Sequence, residues 1–588
     1  MLKHLRLLWP YLRNYRGTLL LGAISVLLTN GIWVLFPQVI RRAMDVLKRM
    51  DSRDVGATRH ELLICCLLML AIAFSKGIFQ FLTRWLVIGV SRDIEYDLRN
   101  DIFRHLELLS LSYYQKNRTG DIMARATNDL NAVRMLLGPA IMYSANTVVF
   151  TIAALIFMWR TSPTLTMYAF VPLPLASVAI QYFGRRIHER FEKIQAQFSD
   201  ISARAQENFS GARAIRAYSQ EESEISLFET SNLEYVNRAL PLARLTGMLW
   251  PSLELMLGLG VVMAFWLGGR EVILRRITPG DFVAFVTYMV QLTWPIIALG
   301  WVINIFQRGT ASMVRLNEIL VAKPGITDAQ VAQDLRNKQD IAGDIEFRDL
   351  SFSYNGVPVL HNINLRIPAG SSLAVVGPTG SGKTTLVNLI PRVYDSDSGT
   401  MLVDGRNIRE YPVETLRRNV GFVPQETFLF SDTVRENIAF GVKDATEQQI
   451  RAAAEAANIA VDIEEFPEGY DTLVGERGIT LSGGQKQRTA IARAIIRNPR
   501  VLVLDDALSS VDTYTEEKIL NHLRQIMRGR TTIFISHRVS TVRNADRIAV
   551  LHEGRVVELG THDELLSREG YYTDLYNKQL LEEELARV

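Results

Sequence analysis

Six apolar stretches, at roughly 17–40, 62–88, 137–159, 163–184, 246–269 and 282–306, constrain this chain more than any other feature. Each approaches the ~20 residues an α-helix needs to cross a bilayer. The first half of the chain is therefore expected to fold as an α-helical membrane domain with six transmembrane helices. Overall composition hides this, because 48% hydrophobic residues and a net charge of +3 average two dissimilar halves. From residue 344 onward, short apolar segments alternate with charged, glycine-punctuated ones, as in a soluble domain. The balanced charge lends no support to nucleic-acid binding.

The spacing of the stretches matters as much as their number. A polar segment, 89–136, separates the second from the third, and another, 185–245, separates the fourth from the fifth. In the latter, Phe191, Ile194, Phe198, Ile201 and Ala205 recur at helical intervals among charges. Four membrane helices are thus expected to continue past the bilayer as two long intracellular hairpins. Leu5, Leu8, Trp9 and Leu12 can share one face of a helix away from Lys3, Arg6 and Arg13, which suggests an interfacial elbow over 1–16. The first apolar stretch is longer than a signal-peptide core and lacks a small-residue cleavage site, so no cleavable leader is expected. The only cysteines, Cys65 and Cys66, are adjacent inside an apolar run and read as small hydrophobes. The membrane domain is expected over 17–322, a linker containing Pro324 and Gly325 over 323–343, and a soluble domain over 344–588.

That soluble domain carries a phosphate-binding pattern. Leu373–Val376 reads as a short strand, followed by Gly377, Pro378, Thr379, Gly380, Ser381, Gly382, Lys383 and Thr384, with a helical run from Thr385. This is G-x-x-x-x-G-K-[ST] in a strand-to-helix context. Its backbone amides can wrap phosphates, Lys383 can reach the β- and γ-phosphates, and Thr384 can ligate magnesium. Downstream, the apolar run Val501–Leu504 ends in Asp505, an acid placed to hold the same metal. Between them, Leu481-Ser482-Gly483-Gly484-Gln485 precedes a helical run, Lys486–Ile496, and forms a second anion-binding device from bare amides at a helix start.

In this order and spacing, the motifs make the chain resemble the ATP-binding cassette (ABC) superfamily over essentially its whole length, as an exporter domain fused ahead of an α/β P-loop ATPase domain. The resemblance implies ATP and Mg²⁺ as cofactors. It also implies roles for residues no local pattern assigns: Tyr354 stacking on adenine, Gln425 touching magnesium and sensing the γ-phosphate, and His537 switching on the γ-phosphate. Ser509–Asp512 resembles a loop that communicates across a dimer, and Thr472–Gly478 resembles the exporter segment that meets the membrane domain. Residues 113–121 and 208–218 resemble the coupling helices at the hairpin tips. In this family two nucleotide domains sandwich two ATP molecules, each held by one chain's phosphate loop and the other's signature sequence, here Ser482, Gly483, Gly484 and Gln485. A second half-transporter is therefore an implied partner. Charge leaves the orientation open, since Arg41, Arg42 and Lys48 balance Lys3, Arg13 and Arg16. The cytosolic location of ATP and an even number of spans place both termini in the cytoplasm.

Asp506 departs from the family pattern, which has Glu after the metal-holding acid. The shorter side chain withdraws the carboxylate by roughly one C–C bond, about 1.5 Å, and a 1 Å misplacement can cost ~10²-fold. The pattern resembles the weaker half of bacterial heterodimeric multidrug exporters. This chain would keep a slow site with Asp506 as its base and lend an intact signature to a faster one. Expected contacts are the lipid bilayer and a hydrophobic small-molecule substrate. A homodimeric lipid flippase and a non-transporting regulatory membrane ATPase are the competing readings. Lys76 and Glu254 interrupt the second and fifth spans, and Glu254 is a candidate cavity-lining group favouring cationic amphiphiles.

Overall fold

The computed structural model describes residues 8–48, 55–336, 338, 340–475, 478, 480–508, 519, 522, 527–536 and 538–587. The chain forms two compact units, Met1–Leu106 with Gly120–Val321, and Glu107–Thr119 with Ala322–Val588. The tip of the first polar segment thus packs within the second unit, a division that a cut by chain position alone does not give.

In the first unit, five helices among the described residues are long and apolar enough to cross a membrane: Arg16–Lys48, Val55–Leu108, Thr119–Thr161, Glu221–Ile273 and Pro279–Val321. The fourth expected span, 163–184, is not one continuous helix. It divides into Pro163–Ala169 and the start of Pro172–Ser210. Proline has no N–H to bond back to the preceding turn, so Pro172 stands in the first turn of the second helix, with Val171, itself in helical backbone at φ −57° and ψ −36°, as the N-cap.

Both polar segments are helical, as their periodicity implied. Val55–Leu108 holds 54 residues, or about 80 Å at ~1.5 Å per residue, far beyond a ~30 Å hydrocarbon core. Its charged half buries Val87, Val90, Ile94, Leu98 and Ile102 at three- and four-residue intervals. From Val90 onward that stripe packs on Leu130, Val133, Met313, Leu316 and Ile319. Two glycines allow the close approach: a Cβ on Gly138 would lie 2.5 Å from Ser91 Oγ, and one on Gly309 would lie 2.6 Å from Leu136 Cβ. Gly138 belongs to a π-helical turn, Leu136–Ala140, that also accommodates Pro139. Asp129 accepts from Ser312 Oγ at 2.9 Å and from Arg315 Nε at 2.8 Å, which ties the same helices through a charged pair.

The N-terminal helix spans Trp9–Asn14. Leu8 is buried among the residues of the Val87–Ile102 stripe, while Trp9 is exposed. Tyr11 and Tyr15 donate to Asp101 and Asp97 at 2.6 and 3.0 Å. Residues 1–7, including Leu5, lie outside the described set. Lys76 lies with its ammonium 3.7 Å from the centroid of the Trp33 ring, and Glu254 is exposed on its helix.

The second unit is built on two sheets. Strands β1 (Ile345–Tyr354), β2 (Val357–Ile367), β4 (Ser398–Val403) and β5 (Arg406–Asn407) form an antiparallel sheet in the order β2-β1-β4-β5. Strands β3 (Ser372–Val376), β6 (Val420–Val423), β7 (Val501–Asp505), β8 (Thr531–Ile535), β9 (Arg547–His552) and β10 (Arg555–Gly560) form the other, ordered β10-β9-β3-β8-β7-β6. Strands β7 and β8 are buried at every residue, as strands in a parallel sheet covered on both faces should be. Alternation divides their side chains between two cores. Val501, Val503, Ile533 and Ile535 enter one, while Leu502, Leu504 and Phe534 enter the other.

Candidate nucleotide site

Four adjacent strands, β3, β8, β7 and β6, run parallel in register. Their C-terminal ends therefore lie side by side. Gly377 follows β3, Ser536 follows β8, Asp505 ends β7, and Pro424 and Gln425 follow β6. Parallel α/β sheets place ligand-binding residues at this edge. The topology thus gathers residues that lie more than a hundred positions apart in the chain.

The loop after β3 needs its glycines. Gly377 has φ +148° and a Cβ there would sit 2.1 Å from the Leu551 carbonyl oxygen; Gly382 has φ +96° and its Cβ would sit 2.8 Å from Leu360 Cδ2. The following helix starts at Lys383, two residues before the expected Thr385, with Gly382 as its N-cap. Lys383 Nζ donates to the carbonyls of Gly377 and Pro378 at 2.8 and 2.9 Å. Burial holds this amine below the usual lysine range, while Asp505 and Asp506 act in the opposite direction. Pro378, Thr379 and Gly380 form the exposed crest of the loop.

Thr384 Oγ1 donates to Asp505 Oδ1 at 3.2 Å. Burial pushes the Asp505 carboxyl up to about 6, against the lowering effect of the Thr384 hydroxyl. Asp505 Oδ2 and Ser381 Oγ are buried without a hydrogen-bond partner in the protein. A buried carboxylate with an unmet oxygen beside a threonine hydroxyl is a hard-ligand pair that could hold magnesium. A glycine loop at van der Waals limits and a buried lysine fit the attached phosphates. When bound, magnesium would neutralise phosphate charge.

Asp506 leaves β7 in the left-handed region, φ +48°, and its N–H donates to Ile535 O at 3.1 Å. Asp tolerates this conformation better than most residues because its short polar side chain can bond locally. Tyr354 is placed by a hairpin turn, Asn355-Gly356, in which both residues have positive φ, the pairing a two-residue turn requires. Its hydroxyl lies 3.4 Å from Thr385 Oγ1. Gln425 is exposed at the end of β6. His537, Ser509–Asp512, Glu476 and Arg477 lie outside the described residues.

The second glycine motif is a helix start, earlier than the expected Lys486. The helix spans Gly483–Ile495, and Ser482 is its N-cap. Ser482 Oγ accepts from Gln485 N–H at 3.3 Å, and Gln485 Oε1 accepts from Ser482 N–H at 3.0 Å. This capping box fixes the first turn and leaves Ser482 and Gly483 exposed. Gln485 Nε2 also donates to Asp462 at 3.1 Å.

Sequence reasoning missed two residues that shape this site, Arg493 and Tyr394. Arg493, on the same helix, donates to Phe428 O, Asn437 O and Asn437 Oδ1 at 2.8, 2.8 and 2.7 Å. It thereby holds the segment after Gln425 to the signature helix. Tyr394 packs edge-on against Tyr354, and Gln115 bonds Tyr394. An arginine at a helix end and a lone tyrosine after a helix carry no local signal of such contacts. The hairpin tips do form short helices, Leu111–Lys116 and Ala212–Ala217, and neither buries a residue.

Comparison with known proteins agrees with this architecture. Residues 19–296 match the family described as ABC transporter transmembrane region, and residues 360–509 match ABC transporter. The chain is 35% identical over 564 residues to a probable multidrug resistance ABC transporter ATP-binding/permease protein, YheI, of Bacillus subtilis (strain 168), covering 95% of each. It is 39% identical over 524 residues to an ATP-dependent lipid A-core flippase of Syntrophus aciditrophicus (strain SB), covering 88% of this chain and 86% of the relative. A solved bacterial Atm1-family ABC exporter with ATP bound superposes with a TM-score of 0.79 at 29% identity, covering 96% of this chain and 98% of that one. The chain therefore belongs to the ABC transporters, as an exporter half-transporter: a multi-pass inner-membrane protein with a cytoplasmic ATPase domain.

Proposed function

We propose that this chain is the slow-site half of an unequal exporter pair that moves lipophilic, drug-like compounds across the cytoplasmic membrane. The observation that carries this reading is Asp506. It follows the metal-holding Asp505 directly, is one methylene shorter than the glutamate the family places there, and has its backbone pinned to Ile535. Lys383, Ser381 and the glycine loop of residues 377–382 bind the phosphates. Thr384, Asp505 and Gln425 serve magnesium, Thr385 binds the nucleotide next to the phosphate loop, Tyr354 stacks on the base, and Asp506 and His537 serve the γ-phosphate. Asp506 orients the attacking water from too far away, so proton transfer there is inefficient.

The signature sequence Ser482–Gln485 is intact and well capped. It completes a competent site with the phosphate loop of a glutamate-bearing partner. Isolation from native membranes tests the pairing. Recovery of a second, different half-transporter with glutamate after its strand acid is expected, and recovery of this chain alone as a fully active homodimer would overturn it. ATP-driven uptake of lipophilic dyes into inverted vesicles tests the cargo. A lipid cargo is the second reading, favoured by the 39% identity to a protein named as a lipid A-core flippase. Lipid translocation without dye uptake would select it.

A further inference from the structure

Residues 107–119 pack within the nucleotide unit, and they bring one polar side chain against an aromatic cluster there. Gln115 Nε2, on the Leu111–Lys116 helix, donates to the hydroxyl of Tyr394 at 2.7 Å. Tyr394 is buried and meets the Tyr354 ring edge-on, with centroids 5.4 Å apart and planes at 86°. Phe352 closes the cluster, 4.8 Å from Tyr354 and 5.5 Å from Tyr394. Beyond Tyr354 lies Thr385, in the first turn after the phosphate loop. A cavity of about 290 Å³ between Gln115, Gly325, Tyr354 and Tyr394 leaves the Tyr354 ring room to turn.

Tyr394 itself cannot shift easily. Arg392 grips Asp395 through two bonds of 2.8 and 3.2 Å. Arg417 donates to the carbonyls of Pro391 and Arg392 at 3.2 and 3.1 Å. Ser353, next to Tyr354, bonds Asp397 and so ties β1 to the same loop. With its backbone anchored, Tyr394 is held at its far end by the Gln115 contact, which fixes the tilt of the ring. Edge-to-face packing then transmits that tilt to Tyr354.

We propose that Gln115 and Tyr394 are positioning residues for the adenine platform, so that the tip of the first hairpin sets the grip on the base. This rests on the reading of Tyr354 as the residue that stacks on adenine. By thermodynamic reciprocity, base binding then favours the hairpin-docked arrangement by the same factor. A hairpin that pulls away takes with it the hydrogen-bond partner of the Tyr394 hydroxyl, and the platform loses its orientation.

Competition binding on the full-length chain in detergent separates the possibilities, with ATP and inorganic tripolyphosphate each displacing a fluorescent ribose-modified ATP. Gln115→Leu and Tyr394→Phe are each expected to weaken ATP binding about 3- to 10-fold, the worth of one hydrogen bond. Tripolyphosphate, which has no base, should stay within about twofold. The double variant should lose no more than either single one, since both break one bond. Gln115→Glu, which can still accept from the Tyr394 hydroxyl, should retain ATP affinity. Equal losses for ATP and tripolyphosphate would mean general damage and overturn the proposal. So would unchanged ATP affinity in both variants while Tyr354→Leu weakens it. If Tyr354→Leu itself leaves ATP affinity unchanged, Tyr354 is not the platform and the site reading fails first.

Discussion

Arg493 holds Asn437 by two hydrogen bonds, Nη2 to Oδ1 at 2.7 Å and Nε to the carbonyl at 2.8 Å. Asn437 is 1% exposed, and its Nδ2 donates to the carbonyls of Phe430 and Thr433, each at 3.0 Å. Burial pushes the Arg493 guanidinium down to about 10, so it stays charged at neutral pH. Lysine keeps the charge but not the fork that serves three acceptors at once. Arg493→Lys is expected to destabilise the nucleotide unit by about 1–3 kcal/mol. Limited proteolysis should then cut faster within residues 428–440, and an unchanged digestion pattern would contradict the linkage.

Asp505 gives a pH-dependent prediction. Its folded carboxyl titrates near 6 against an ordinary 3.8, because burial disfavours the charge. The folded state binds that proton more tightly than the unfolded chain does. Asp505 therefore favours folding fully below about pH 4, and that contribution is lost as pH rises through about 6. At pH 7.5 the ionised group costs on the order of 1–2 kcal/mol in nucleotide-free protein. Asp505→Asn should raise the nucleotide-free Tm by about 2–6 °C at pH 7.5 and by less near pH 5. Thermal melts at the two pH values check this, together with a smaller stabilisation of the variant by magnesium-ATP.

Gly138 lies against Ser91 with no room for a methyl group, the added Cβ falling 2.5 Å from Oγ and 2.9 Å from Cβ. Gly138→Ala should destabilise the membrane unit by about 1–3 kcal/mol through overpacking. Ser91→Gly in the same chain removes both clashing atoms. The double variant should melt higher in detergent than Gly138→Ala alone, which distinguishes a steric fault from a general helix effect.

Much of this molecule is legible in one dimension because its signals are periodic or punctuated. The stripe from Val87 to Ile102 announces a helix face, and Asn355-Gly356 announces the turn that places Tyr354. The buried strand β7 appears as an apolar run, Val501–Leu504, that ends in Asp505. Other features depend on contacts between distant residues. Leu8 is an apolar residue on a short helix, and only the packing of the Val55–Leu108 helix decides that it is buried in protein. The break in the fourth apolar stretch was signalled by Pro172, but hydropathy summed over the stretch conceals it. Within the site, the glycine loop, Thr384 and Asp505 follow from motif and strand order. Gln115, Tyr394 and Arg493 do not, since their partners lie 279, 40 and 56–65 residues away.

The left-handed backbone of Asp506 and its bond to Ile535 O make the short carboxylate hard to bring closer by a local shift. The most direct measurement is steady-state ATP hydrolysis by the purified chain, before and after Asp506→Glu. Slow turnover that rises about 10-fold or more with the longer acid is the expected result, given the ~10²-fold cost of ångström-scale misplacement. Vigorous hydrolysis by the unmodified chain, unchanged by Asp506→Glu, would contradict the assignment of a slow site.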